Sequence, residues 1–160
     1  MRFLAFPGGI EMRVIGQVPM RNESSTDEHP TLPFTPQGRV VSVLVVDDYP
    51  DNVASMAMLL RWYGYEVDTA LGGPEALRAA RAKQPDVVLM DISMPGMSGY
   101  EVARQMRGMF HDEVTLIAIT ANGFEEDRRR CFDAGFDRHF VKPADPEKVE
   151  ELLRELASSL

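Results

Sequence analysis

Five residues of the 160-residue sequence combine types that can handle a phosphoryl group: Asp47, Asp48, Asp91, Thr120 and Lys142. Each follows or closes a short apolar, β-branched run, so each is expected at the carboxyl end of a strand. Three carboxylates within a few ångströms repel one another by up to about 4 kcal/mol per pair, at 4 Å and an effective dielectric near 20. A divalent cation removes that cost. Oxygen ligands without His or Cys suit Mg²⁺, which keeps several waters and takes one or two carboxylates plus a phosphate oxygen. A lysine ammonium and a threonine hydroxyl add donors for phosphoryl oxygens, and a carboxylate in that setting can act as the nucleophile. An Asp-Asp pair alone is often only a turn or a helix start. The pair gains weight from Asp91, Thr120 and Lys142 following in order.

The elements that must position these side chains can be read from hydrophobic periodicity. Val40 to Val46 is apolar on both alternating faces, as in a strand buried between helix layers. Val53, Met56, Ala57 and Leu60 follow at i, i+3, i+4 and i+7, with Asp51 near the helix start and Gly64 past its end. The alternation repeats with strands at 65–69, 87–90, 114–120 and 139–141 and helices at 74–83, about 100–109, 125–134 and 146–156. Val149, Leu152, Leu153 and Leu156 give the last helix one apolar face. Five βα units predict an α/β fold, (βα)5, a doubly wound parallel five-stranded sheet whose ligand site lies beyond the carboxyl ends of its strands.

From residue 39 to 160 the sequence resembles the receiver domain of two-component response regulators, a flavodoxin-like fold. The matching stretches are Val45-Val46-Asp47-Asp48, Met90-Asp91-Ile92-Ser93-Met94-Pro95-Gly96 continuing to Glu101, Ile119-Thr120-Ala121 and Val141-Lys142-Pro143. The resemblance implies that Asp91 accepts phosphate from a histidine kinase or histidine phosphotransfer protein. It implies that Asp48, Asp91 and the Ser93 carbonyl ligate Mg²⁺, with Asp47 assisting partly through water. Thr120 would bond the phosphoryl oxygen, Lys142 would pair with it, and Ala121 is the small neighbour the family prefers. Ser93 and Asn122 stand two residues past Asp91 and Thr120, at positions that in that family influence the hydrolytic water, and by the same resemblance the Lys142–Pro143 bond is expected to be cis. One departure concerns the switch position three residues before the lysine, where the family has Tyr or Phe and this chain has His139. With an unperturbed pKa near 6.5, that ring could make switching pH-sensitive. Phe140, one residue on, is expected on the opposite face of its strand.

Composition narrows the remaining classes. A net charge of −8 argues against duplex binding through charge, so no direct nucleic-acid partner is expected. No apolar run reaches the roughly 18 residues of a membrane span. The single Cys131 excludes an internal disulfide, and with no secretory leader a cytoplasmic location is expected. Residues 1–38, rich in Pro, Gly and polar residues, predict a flexible extension before the receiver body at 39–160. Four residues follow Leu156, so a single-domain regulator acting on a separate, unknown protein target is expected. Its output face would be the fourth helix, fifth strand and fifth helix. Enzymatic activity beyond self-phosphorylation from small phosphodonors and autodephosphorylation is not expected. A Mg²⁺-dependent phosphohydrolase fits poorly, because the two acidic residues after the first strand are adjacent and the nucleophile lies on the third. A receiver-like module that is never phosphorylated, and a receiver fragment of a hybrid kinase, stay open. Arg128-Arg129-Arg130 after Glu125-Glu126-Asp127 reads as a solvated helix face with local ion pairs. Gly72-Gly73 reads as loop punctuation, and Met58 and Trp62 share a spacing that could leave an exposed patch.

Overall fold

Valine, isoleucine and threonine recur in the short extended runs, where branching at Cβ favours strand backbone. The computed structural model describes residues 33–160 apart from Asn122. Its strands are β1 (Ser42–Val46), β2 (Glu66–Ala70), β3 (Val87–Asp91), β4 (Thr115–Thr120) and β5 (Arg138–Val141). Its helices are α1 (Pro50–Trp62), α2 (Gly73–Lys83), α3 (Gly99–Phe110), α4 (Glu125–Ala134) and α5 (Pro146–Ala157). All strand pairings are parallel, in the order β2-β1-β3-β4-β5. This is the doubly wound fold that the alternation predicts. Among the described residues no helix is long and apolar enough to cross a membrane.

Strand alternation divides the core in two. Val43 and Val45 of β1 and Val87 and Leu89 of β3 pack with Ala57 and Leu60 of α1 and Val149 and Leu153 of α5. Leu44 and Val46, with Val88 and Met90, face Leu77 of α2, Val102 and Met106 of α3 and Cys131 of α4. Every residue of β3 is buried, as a central strand covered on both faces requires.

The expected boundaries shift where backbone groups find other partners. The apolar run opens two residues before β1, because Val40 forms an antiparallel bridge with Phe34 and the Val41 amide donates to the Pro33 carbonyl. Residues 33–38, the last of the expected extension, thus form a turn against the sheet, while residues 1–32 lie outside the described residues. Tyr65 falls between α1 and β2 rather than in β2, since its amide donates to the Leu60 carbonyl in the turn that closes α1. Helix α1 is capped by Tyr49 with no side-chain bond, Pro50 fills the first helical position and Asp51 stands in the first turn. Helix α3 starts with a capping box, in which the Ser98 side chain accepts from the Glu101 amide and the Glu101 carboxylate accepts from Ser98 N. At Gly73 a Cβ would lie 2.8 Å from Val102 Cγ2, so close packing of α2 on α3 requires that glycine. The ion pairs expected on α4 form, Arg128 with Glu125 and Arg130 with Asp127, each at 3.9 Å.

Candidate metal and phosphoacceptor site

The chain leaves β1 to one side to form β2 and crosses to the other to form β3, so the carboxyl ends of β1 and β3 flank an open crevice. Asp47 and Asp48 directly follow β1, Asp91 ends β3, Thr120 ends β4 and Lys142 follows β5. Asp47, Asp48 and Asp91 each offer an oxygen, all within 4.8 Å of one another. Asp91 is only 3% exposed, Asp47 and Thr120 are also buried, and Asp48 is half-buried. The Lys142 amide donates to the Thr120 carbonyl at 2.7 Å, which ties the end of β5 to that of β4. The Lys142–Pro143 peptide is cis.

The three carboxylates differ in how far they are already satisfied. Asp47 Oδ1 accepts from the Tyr49 amide at 2.8 Å, and Asp47 Oδ2 accepts from Asn52 Nδ2 at 3.2 Å and Lys142 Nζ at 3.3 Å. Asp48 Oδ1 and Asp91 Oδ1 are buried and accept no hydrogen bond. Lys142 Nζ lies 3.1 Å from Asp91 Oδ1, an ion pair without directed hydrogen-bond geometry. Burial works against the Lys142 ammonium, but the Asp91 and Asp47 carboxylates outweigh it and hold its pKa above the ordinary lysine value. One ammonium against three carboxylates leaves the crevice with excess negative charge. An all-oxygen cluster in which the buried Asp48 Oδ1 accepts no hydrogen bond and the buried Asp91 Oδ1 is met only by the Lys142 ammonium fits a hard divalent cation such as Mg²⁺.

Residues 43–154 match the family model of the response regulator receiver domain. The chain belongs to that family. Receiver domains are signalling modules of two-component systems. The chain is 39% identical over 119 residues to the probable transcriptional regulatory protein TcrX of Mycobacterium tuberculosis, covering 74% of this chain and 50% of that protein. It is 37% identical over 119 residues to hybrid signal transduction histidine kinase L of Dictyostelium discoideum, covering 70% of this chain and 7% of the kinase. The chain thus spans at most half the length of these two relatives. Among solved structures, the response regulator TrrA of Thermotoga maritima, in complex with Mg²⁺ and BeF, superposes with a TM-score of 0.65 at 33% identity, covering 73% of this chain and 99% of that one.

The remaining residues singled out in this receiver spread along the rim. Ser93 lies exposed in the loop after β3, two residues past Asp91, and Ala121 is exposed after β4. Asn122 lies outside the described residues. His139 is half-buried on β5 beside Ala118 of β4, and its ring meets Phe132 of α4 edge-on at 6.3 Å. Phe140 packs against the core on the α1 and α5 side, so the two rings occupy opposite faces of β5 as alternation requires. Cys131 is fully buried, and burial pushes its thiol up in pKa.

Two contributors are not visible in the acidic pattern. Asn52 reaches Asp47 from the first turn of α1, and only its place five residues after Asp47 hints at this. Gly99 opens α3 directly against the end of β3, since a Cβ there would lie 2.6 Å from the Asp91 carbonyl oxygen and 2.8 Å from Ile92 Cα. In the sequence Gly99 falls within the stretch Met90 to Glu101 but carries no sign of this contact.

Proposed function

We propose that the chain is the phosphoacceptor receiver of a two-component phosphorelay, in which Asp91 takes a phosphoryl group from the phosphohistidine of a histidine kinase or histidine phosphotransfer protein. The observation that carries this reading is the cluster of three carboxylates within 4.8 Å, with Lys142 3.1 Å from Asp91 Oδ1. A carboxylate oxygen of Asp91 bonds to phosphorus as the phosphorus–nitrogen bond of the donor breaks, and the imidazole leaves with that electron pair and takes up a proton. Bound Mg²⁺ supplies charge neutralisation between the carboxylates and the phosphoryl oxygens. Asp48, Asp91 and the Ser93 carbonyl would hold it, with Asp47 assisting. Lys142 pairs with the incoming phosphoryl oxygens and Thr120 donates its hydroxyl to them.

The added charge, about −1.5 to −2 if the acyl phosphate behaves like other phospho-residues, draws Thr120 toward the acceptor. His139 then moves inward and changes the face formed by α4, β5 and α5, to which a separate target protein binds. Phe124 and Val141 already expose apolar surface there. Tyr49 beside the crevice, and Met58 and Trp62 farther along α1, leave exposed apolar surface that the phosphodonor protein would cover. A cytoplasmic setting belongs to this reading, as does an extension before the receiver body. A receiver of a hybrid kinase is the second reading, favoured by the identity to the Dictyostelium kinase. It shares the phosphoacceptor and differs in partner.

Intact mass after incubation with acetyl phosphate or phosphoramidate and Mg²⁺ tests the chemistry. One phosphoryl group added to the wild type and none to Asp91→Asn is expected. Labelling of Asp91→Asn would place the acceptor elsewhere, and no labelling of a wild type shown to bind Mg²⁺ would favour an interaction module that is never phosphorylated.

A further inference from the structure

Asp47 differs from its two acidic neighbours in having both oxygens engaged, and only one of the donors comes from a side chain outside the acidic and lysine set. Asp47 Oδ2 is shared between Asn52 Nδ2 at 3.2 Å on the α1 side and Lys142 Nζ at 3.3 Å on the β5 side. Lys142 is itself divided, since it lies 3.1 Å from Asp91 Oδ1. The four groups form a chain of competing contacts, Asn52 to Asp47 to Lys142 to Asp91. Asn52 is well placed to act as the fixed end. Its backbone amide donates to the Tyr49 carbonyl at 3.1 Å, and the Tyr49 amide in turn holds Asp47 Oδ1 at 2.8 Å. The start of α1 and the Asp47 carboxylate are thereby braced together.

We propose that Asn52 is a positioning residue for the cation site: its amide holds the Asp47 carboxylate toward α1 and limits how tightly Lys142 can close on it. This rests on the Mg²⁺ reading given above. Without the amide, Lys142 becomes the one side chain donating to Asp47 Oδ2. The carboxylate can then swing toward β5, away from the oxygens of Asp48 and Asp91 that accept no hydrogen bond. The pair Asp47–Lys142 tightens, which neutralises that carboxylate where the cation needs it. The displacement of Asp47 and its closer pairing with the ammonium weaken cation binding without removing a ligand. Outer partners of metal ligands typically change affinity by roughly 10–100-fold, and the exposed position of Asn52 puts it near the lower end, about tenfold.

The test is calorimetric titration of Mg²⁺ into the full, metal-free chain as wild type, Asn52→Ala and Asn52→Gln, with thermal midpoints measured in chelator. Asn52→Ala is expected to bind Mg²⁺ about tenfold more weakly with an unchanged metal-free midpoint. Asn52→Gln, which retains the amide on an exposed side chain, is expected to recover most of the loss. In acetyl phosphate labelling, the Mg²⁺ concentration for half-maximal rate should rise by the same factor while the rate at saturating Mg²⁺ stays within about twofold. Equal Mg²⁺ affinity in wild type and Asn52→Ala overturns this inference alone. So does weaker binding in Asn52→Ala accompanied by a large fall in the metal-free midpoint, which would mark Asn52 as a brace for α1 and nothing more. A wild type that does not bind Mg²⁺ overturns the metal reading and this inference with it.

Discussion

Asp48→Asn is expected to make the metal-free protein more stable while abolishing its response to Mg²⁺. Asp48 has two carboxylate neighbours with oxygens within 4.8 Å. At that separation and an effective dielectric near 20, each like-charge pair costs about 3 kcal/mol. The single ammonium of Lys142, 3.3 Å from Asp47 and 3.1 Å from Asp91, offsets roughly one of these repulsions. Asp48 is half-buried, and the water it retains weakens the remainder. The net relief on removing its charge is therefore about 1–2 kcal/mol, or about 4–8 °C in thermal midpoint for a domain of this size. No acceptor is sacrificed at Asp48 Oδ1, which accepts no hydrogen bond. The new amide can instead donate to a neighbouring carboxylate. In wild type, Mg²⁺ at ten times its Kd should add about 1.4 kcal/mol by mass action, and in Asp48→Asn almost nothing. Thermal melts followed by circular dichroism, in chelator and in Mg²⁺, read both effects. A metal-free midpoint for Asp48→Asn at or below that of wild type would refute the charge crowding, and an undiminished Mg²⁺ shift would remove Asp48 from the ligand set.

Other features of the fold lead to equally direct tests. Asp86 joins the starts of β1 and β3, accepting from the Ser42 amide and hydroxyl at 2.8 Å each and from both Arg39 nitrogens. Burial acts to raise its pKa, but the bonds from Arg39 and Ser42 outweigh it, and the folded-state pKa is lowered. Its contribution is thus fully present above the unfolded carboxylate value near 4 and is lost as pH falls through the lower folded value. Asp86→Ala should cost about 2–3 kcal/mol at pH 7, mostly from the orphaned Ser42 donors because Arg39 is half exposed, and urea titrations should show the gap to wild type narrowing below pH 4. Gly99→Ala should cost about 2–3 kcal/mol and slow phosphorylation, because the added methyl group meets the backbone of Asp91 and Ile92. Gly108→Ala, in the same helix but with nothing within 4 Å of the added methyl group, should instead stabilise by about 0.5–1 kcal/mol. Chemical denaturation of the two variants distinguishes a close approach from a merely tolerated glycine.

Much of the molecule is legible in the chain because its information is local. The alternation of Val43 to Val46 sets which side chains face α1 and α5 and which face α2, α3 and α4, and the spacing of Val149, Leu152, Leu153 and Leu156 puts one face of α5 on the sheet, with Leu152 and Leu156 only partly buried at its margin. Acidic and basic residues directly after such runs are carried to the strand ends by the same periodicity, which is why Asp47, Asp48, Asp91, Thr120 and Lys142 could be named together. Local rules fail where a backbone group finds a partner far along the chain or a different turn. Val40 and Val41 look like strand but pair with Phe34 and Pro33, and Tyr65 looks like strand but closes α1.

What only the tertiary structure decides is how the converging groups divide their bonds. Lys142 meets Asp47 across 95 residues of sequence, and whether it also meets Asp91 depends on the neighbouring positions of β1, β3, β4 and β5. That Asn52 shares the same Asp47 oxygen follows from where α1 starts beside the end of β1, and that a side chain at Gly99 would crowd the backbone follows from where α3 crosses the loop after β3. Arg107 is the extreme case: an ordinary surface-type residue in the helical pattern, it donates to the carbonyls of Gly135, His111 and Val114 and to the Asp137 carboxylate, joining α3 to the loops that begin β4 and β5. Residue type and periodicity determine which groups reach the carboxyl edge of the sheet; the strand order and helix packing determine which oxygen each donor finds, because a hydrogen bond is settled over tenths of an ångström and periodicity only over a whole residue.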